Sequence, residues 1–177
     1  MVRTLAPIRE RPRVRFPPGP AAGSVATMAT IRHEIAIDAP PQHIWDVLRD
    51  IGAVHERLLP GRVADTALDG EHRLLTFLDG HVIRERIVSV DDDLRRLAYS
   101  VIEGARPALT HHHASFEVRE TDSRTGRLIW TTDLLPDERA PEVRIRIEYG
   151  AAEMKRAIEA AAVRGASPGA AGVSGTV

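Results

Sequence analysis

From Thr30 to Ala162 the apolar positions keep a period of two for most of the chain and then change to a helical period. Ile31, His33, Ile35 and Ile37 alternate with polar or small residues, the pattern of a half-buried strand. Pro40-Pro41 then opens a helix, because proline is tolerated in a first turn, with Ile44, Val47 and Leu48 facing inward. Gly52 ends it, and residues 53–59 predict a second short helix closed by Pro60-Gly61. Strands are expected at 62–68, 72–77, 82–90, 95–102, 112–120 and 127–135. Asp69-Gly70, Asp79-Gly80, Asp91-Asp92-Asp93, Gly104 to Pro107 and Asp122 to Gly126 supply the turns between them. Pro141 opens one long helix with Val143, Ile147, Ala151, Met154 and Ile158 on a single face. This order predicts an α+β fold in which an antiparallel sheet curls around one terminal helix and encloses a cavity.

The Asp79-Gly80 hairpin can be taken to register. A two-residue turn would pair Leu78 with His81. A three-residue turn, with Gly80 left-handed, pairs Phe77 with His81, Leu75 with Ile83 and Arg73 with Glu85. Only the second places Leu75, Phe77, Ile83 and Ile87 on one face, so burial selects it. Arg73 and Glu85 then become cross-strand partners on the apolar, inward face. On the following strand Ala114, Phe116 and Val118 continue the face of His112, so His112 points inward and His111 and His113 outward. In the last helix Gly150 costs up to ~1 kcal/mol against alanine; close packing on the sheet is the plainer explanation, room for a ligand the other.

Composition narrows the function classes. The chain has 177 residues, 43% of them apolar, and a net charge of −1. That is one core's worth of apolar residues, without the basic surplus that recruits nucleic acid or a run long enough to span a membrane. There is no cysteine, hence no disulfide or thiolate chemistry, and no asparagine, hence no N-glycosylation acceptor. Residues 1–29 are rich in proline and arginine and are expected to be disordered; residues 163–177 read as a flexible Gly/Ala-rich tail, leaving 30–162 as the domain. No apolar leader-type run precedes Met28, and a cytoplasmic setting is expected. No phosphate loop, dinucleotide fingerprint, nucleophile elbow or His-Glu-x-x-His pair occurs. Any chemistry is therefore expected to be acid–base work in a cavity, with no cofactor.

Several motifs, in order, resemble one family. They are Ala39-Pro40-Pro41 with Ile44-Trp45, then Arg73, Phe77, Asp79-Gly80, Glu85 and Tyr99. The stretches from Leu109 to Ser115 and from Trp130 to Pro136 follow. Together they resemble the SRPBCC superfamily of START-type lipid-transfer domains, polyketide cyclases and birch-pollen-allergen-like proteins. The last two stretches look like its bacterial polyketide cyclase/dehydrase and lipid-transport branch, and the resemblance covers about three quarters of the chain. The resemblance implies a helix-grip fold: a seven-stranded antiparallel sheet wrapped around the C-terminal helix, with two short helices after the first strand. Relatives often carry asparagine at the position of His113.

The candidate site follows. Glu85 and His112 are the candidate acid–base groups, and Arg73 the group that orients a ligand oxygen. Phe77, Ile83, Tyr99, Phe116, Trp130, Val143, Ile147 and Met154 are candidate cavity-lining contacts. His111 and His113 give only two outward ligands without a matched third, so no metal site is expected. Asp133 is expected to face outward and to pair with an arginine of the Asp137-Glu138-Arg139 turn, and Arg144 with Glu148 across one helical turn. Three functions fit: a binding or transport module for a small hydrophobic or aromatic, lipid- or polyketide-like ligand; a cofactor-independent cyclase or dehydratase using Glu85 or His112; and a protein-interaction module of chaperone-activator type. The partner expected is a small hydrophobic molecule, without nucleic acid or membrane insertion, and both monomer and homodimer stay open.

Overall fold

The computed structural model describes residues 27–166. Within them the chain runs through β1 (Ala29–Ile37), α1 (Pro41–Leu48) and a π-helical turn (Val54–Leu58). The strands β2 (Val63–Asp69), β3 (His72–Phe77), β4 (Val82–Asp91), β5 (Arg96–Glu103), β6 (His111–Glu120) and β7 (Gly126–Leu135) follow. A 3-10 turn (Asp137–Arg139) leads into α2 (Ala140–Ala166). The helix thus continues four residues past the boundary placed at 162. The expectations for residues 1–26 and 167–177 lie outside the described residues.

The strands form one sheet in the order β1-β7-β6-β5-β4-β3-β2, every pair antiparallel. Strands β2 to β7 are a meander, and β1 returns to the far edge beside β7. Two irregularities in β4 against β5, at Arg84/Glu85 and Ile87/Ser89, bend the sheet in its middle, because an extra residue on one strand raises the local twist.

The β3–β4 hairpin has the register read from the sequence. Arg73 faces Glu85 and Leu75 faces Ile83, while the Phe77 N–H donates to the His81 carbonyl at 2.8 Å. Gly80 has φ of 78°, a conformation that a side chain would penalise. Gly104 is more tightly constrained: a Cβ there would lie 2.1 Å from the Val82 carbonyl oxygen.

Helix α2 lays its face of Val143, Ile147, Ala151, Met154 and Ile158 into the sheet, all five buried. It packs on β1 and on the π-helical turn. Two apolar clusters result. The larger is built on Ile44, Trp45, Leu97, Phe116, Leu128 and Met154, and the smaller on Ile31, Leu134, Val143 and Ile147. Trp130 packs against both. Trp45 is fully buried, and its indole N–H donates to Asp92 Oδ1 at 2.8 Å; Arg49 holds the other carboxylate oxygen at 3.1 Å. The acidic turn after β4 is therefore tied back to α1. Among the described residues no helix is long and apolar enough to cross a membrane.

Two expected surface pairs do not form. Asp133 accepts from the Thr30 hydroxyl at 2.5 Å, its cross-strand partner on β1, while Arg139, at the end of the 3-10 turn, pairs at 2.9 Å with Glu142 in the first turn of α2. The β1–β7 register sets Thr30 directly opposite Asp133, and Glu142 stands three residues after Arg139, so each has a partner at hand other than the one expected across the turn. Among the described residues Arg144 and Glu148 form no ion pair; two exposed side chains at that spacing gain only ~0.3–0.5 kcal/mol by pairing.

Candidate functional site

Between the sheet and α2 lies a cavity of about 590 Å³, within the usual range of small-molecule sites. All eleven residues expected at a site line it: Arg73, Phe77, Ile83, Glu85, Tyr99, His112, Phe116, Trp130, Val143, Ile147 and Met154. Strand alternation is the cause. Positions 73, 75 and 77 on β3, 83 and 85 on β4, 99 and 101 on β5, and 112 and 116 on β6 share the concave face.

Arg73 and Glu85 form the polar part of the cavity. Arg73 Nε donates to Glu85 Oε2 at 2.8 Å and Nη2 to the same oxygen at 2.7 Å. Both side chains are less than a tenth exposed. The two contacts converge on Oε2, so Oε1 stands outside them. Arg73 Nη1 is buried without a hydrogen-bond partner. Such a group is costly, since desolvating a donor without replacing its water costs ~1–3 kcal/mol.

Aromatic rings extend from this pair across the sheet. The Arg73 guanidinium lies over the Tyr99 ring at 5.6 Å. Tyr99 meets Phe116 at 5.8 Å and the edge of His112 at 6.5 Å, and Phe116 meets Trp130 at 4.9 Å. Burial pushes the Tyr99 phenol pKa up, and the Glu85 carboxylate pushes it further, so the phenol stays neutral. The Trp130 indole approaches that hydroxyl closely enough to offset the rise in part, yet the geometry closes no hydrogen bond and leaves Nε1 buried and unpaired. Burial first, and then the neighbouring His111 and His113, hold the His112 pKa down to about 4. At neutral pH His112 is an uncharged imidazole with Nδ1 buried and unpaired.

The mouth is polar, and two of its arginines are paired with acids. Arg62 binds Glu153 at 2.7 Å and lies over the Tyr149 ring at 4.8 Å. Arg106 pairs with Asp79 at 3.2 Å. The backbone N–H of His81 and then Arg106 hold the Asp79 carboxyl below its ordinary pKa. The His81 ring sits 2.7 Å from the Gly104 carbonyl, which pins the β3–β4 turn to the β5–β6 loop.

The sequence did not reveal this rim. Arg62 and Glu153 are 91 residues apart, and Val54, Leu58, Leu109 and Tyr149 reach the cavity only through tertiary packing. Val101 carried a usable signal, since it continues the alternation of Tyr99. Conversely Trp45, part of the motif that carries the resemblance, lies outside the cavity lining. Among the described residues no three His, Asp or Glu side chains are grouped to hold a metal ion.

The sequence matches the model of the polyketide cyclase/dehydrase and lipid transport family over residues 28–166. The chain belongs to that family. Solved structures share its fold, an antiparallel sheet gripping a long C-terminal helix. Protein XoxI from Bacillus cereus is 24% identical with a TM-score of 0.65, over 76% of this chain and 96% of that one. Norcoclaurine synthase from Thalictrum flavum, solved with dopamine and hydroxybenzaldehyde, is 21% identical with a TM-score of 0.65, over 84% and 96%. The ZhuI aromatase/cyclase from Streptomyces sp. R1128 is 18% identical with a TM-score of 0.61, over 78% and 95%. At these identities the likeness is one of fold. No curated protein matches the chain.

Proposed function

We propose that the protein binds a small apolar, ring-bearing molecule of lipid or polyketide type in this cavity and holds one of its oxygens on Arg73. The observation that carries this reading is Nη1 of Arg73, a buried charged donor without a protein partner on the wall of an apolar cavity. A carbonyl or phenol oxygen placed there would remove the cost of the orphaned donor. The rings of the same molecule would pack along Tyr99, Phe116 and Trp130. Apolar burial contributes roughly 25 cal/mol per Å², so ~200 Å² of ring surface supplies about 5 kcal/mol. Family membership supports a ligand-handling role. So does the shared fold of an aromatase/cyclase and of a synthase solved with two aromatic compounds. A protein-interaction module would work with a filled interior, and the size of this cavity favours a ligand instead.

A second reading, a cofactor-independent cyclase or dehydratase, rests on Glu85. Its Oε1 lies outside the contacts with Arg73 and could take a proton from carbon beside a carbonyl that Arg73 polarises. His112 is the weaker base because its pKa is held near 4, and its better role is a neutral hydrogen bond to the ligand. Native mass spectrometry of the protein purified from its own host tests the binding reading: a co-purified small molecule is expected, and bare protein alone would count against it. Glu85→Gln separates the two readings, since a base is lost with turnover while a carrier keeps its ligand.

A further inference from the structure

The charged groups on the cavity wall do not cancel. Four arginines line it, Arg62, Arg73, Arg106 and Arg146, against three acids, Asp79, Glu85 and Glu153. Each acid is held by its own arginine: Glu153 by Arg62, Glu85 by Arg73 and Asp79 by Arg106. Arg146 is left over. Among the described residues it has no ion pair and no hydrogen bond.

Its place on α2 explains why. One turn before it stand Glu142, already bound to Arg139 at 2.9 Å, and Val143. One turn after it stand Tyr149 and Gly150, neither of them acidic. The side chain is exposed, and it shares the cavity wall with the buried Ile147 next to it. The two ends of the cavity therefore differ in charge. At the inner end Arg73 is neutralised by Glu85, and an anion placed there would meet the Glu85 carboxylate in a medium that screens it poorly. At the outer end the charge of Arg146 stands in water and receives a counter-ion at a far smaller desolvation cost.

We infer that the ligand is an amphiphilic organic anion, with its neutral oxygen end beside Arg73 and an anionic group, such as a carboxylate or sulfonate, at the mouth on Arg146. This rests on the ligand-binding reading and adds to it the charge and the orientation of the molecule.

A matched pair of probes tests it. 1-Anilinonaphthalene-8-sulfonate and its uncharged parent N-phenyl-1-naphthylamine differ by the sulfonate alone. Both are titrated by fluorescence into the whole protein at low and at high salt, with mutual displacement to show that they share a site. The sulfonate is expected to bind roughly five-fold tighter than the parent at low salt, as an exposed ion pair allows, and high salt narrows the gap. Arg146→Gln removes the preference and leaves the affinity of the parent unchanged. Arg146→Lys keeps part of it, and Arg144→Gln, on the same helix outside the cavity wall, keeps all of it. Equal binding of both probes to the wild type overturns the inference and leaves the binding reading standing. A loss in Arg144→Gln as large as in Arg146→Gln also overturns it. Failure of both probes to bind removes the binding reading and the inference together.

Discussion

Arg73 gives two of its nitrogens to one oxygen of Glu85, at 2.7 and 2.8 Å, and keeps the third, Nη1, unpaired on the cavity wall. The pair is buried and adjacent in register across β3 and β4. Burying two ions costs several kcal/mol each before their attraction is counted, and apolar residues of similar volume often serve stability as well. The pair is therefore a poor device for holding the hairpin together and a good one for presenting an oriented N–H donor.

That view sets the behaviour of variants. Glu85→Gln leaves the Arg73 charge buried without a counter-ion and should lower stability by about 3–5 kcal/mol. The double change Arg73→Met with Glu85→Leu should recover most of the loss while abolishing oxygen-dependent ligand binding. Urea unfolding of the three proteins checks the first statement, and ligand titration of the double variant checks the second. A double variant as unstable as the single one would show that the pair itself holds the sheet.

His112 gives a pH dependence of defined sign. Its pKa is about 4 in the folded protein against 6.5 for an ordinary histidine. Between these values the unfolded chain holds the proton and the folded one does not. Stability therefore rises with pH up to about 6.5 and falls on acidification towards pH 4, by a total of about 3 kcal/mol. His112→Gln should flatten this part of the profile. The comparison is cleanest between about pH 5 and 6.5, above most carboxylate titrations. A variant whose profile parallels the wild type would mean that the imidazole is not held neutral by burial.

Gly150 faces the Trp130 ring, and an added Cβ would lie 3.5 Å from it, an ordinary contact. Gly150→Ala should stabilise α2 by about 0.5–1 kcal/mol and intrude on the cavity beside Trp130. Thermal unfolding should shift upward while affinity for a ring-bearing ligand falls. Unchanged affinity would place the ligand away from Trp130.

Trp45 supplies the contrast. Trp45→Phe removes the 2.8 Å bond to Asp92 and should cost about 1–2 kcal/mol. Ligand affinity should not change, because Trp45 lies outside the cavity lining. A selective loss of binding at unchanged stability would contradict the division between a structural and a ligand-facing tryptophan.

The parts of this site that were legible in the sequence are those carried by strand alternation. A single turn length at Asp79-Gly80 aligned Arg73 with Glu85, and three apolar residues after His112 turned that ring inward. Alternation fixes the face of a residue but not its partner across the fold. Hence the Arg62–Glu153 pair, the Tyr149 ring over Arg62, and Val54 and Leu58 at the cavity wall became visible only with α2 and the π-helical turn in place. Asp133 shows the same limit. Its outward direction followed from its strand, but its partner proved to be Thr30 on β1, 103 residues away. The outer rim, where the leftover charge of Arg146 sits, is a product of tertiary packing, whereas the inner pair is a product of local register.

The two tryptophans offer the most direct measurement. The chain contains only Trp45 and Trp130, so an amide-correlation spectrum of the labelled protein carries two indole N–H signals. 2-Naphthol, a ring with a single oxygen, is titrated in while those signals and the guanidinium signal of Arg73 are followed. The Trp130 and Arg73 signals should move together and saturate at one equivalent, with Trp45 unmoved. Equal movement of both indoles, or saturation without movement at Arg73, would contradict the claim that the cavity holds an apolar ring by its oxygen.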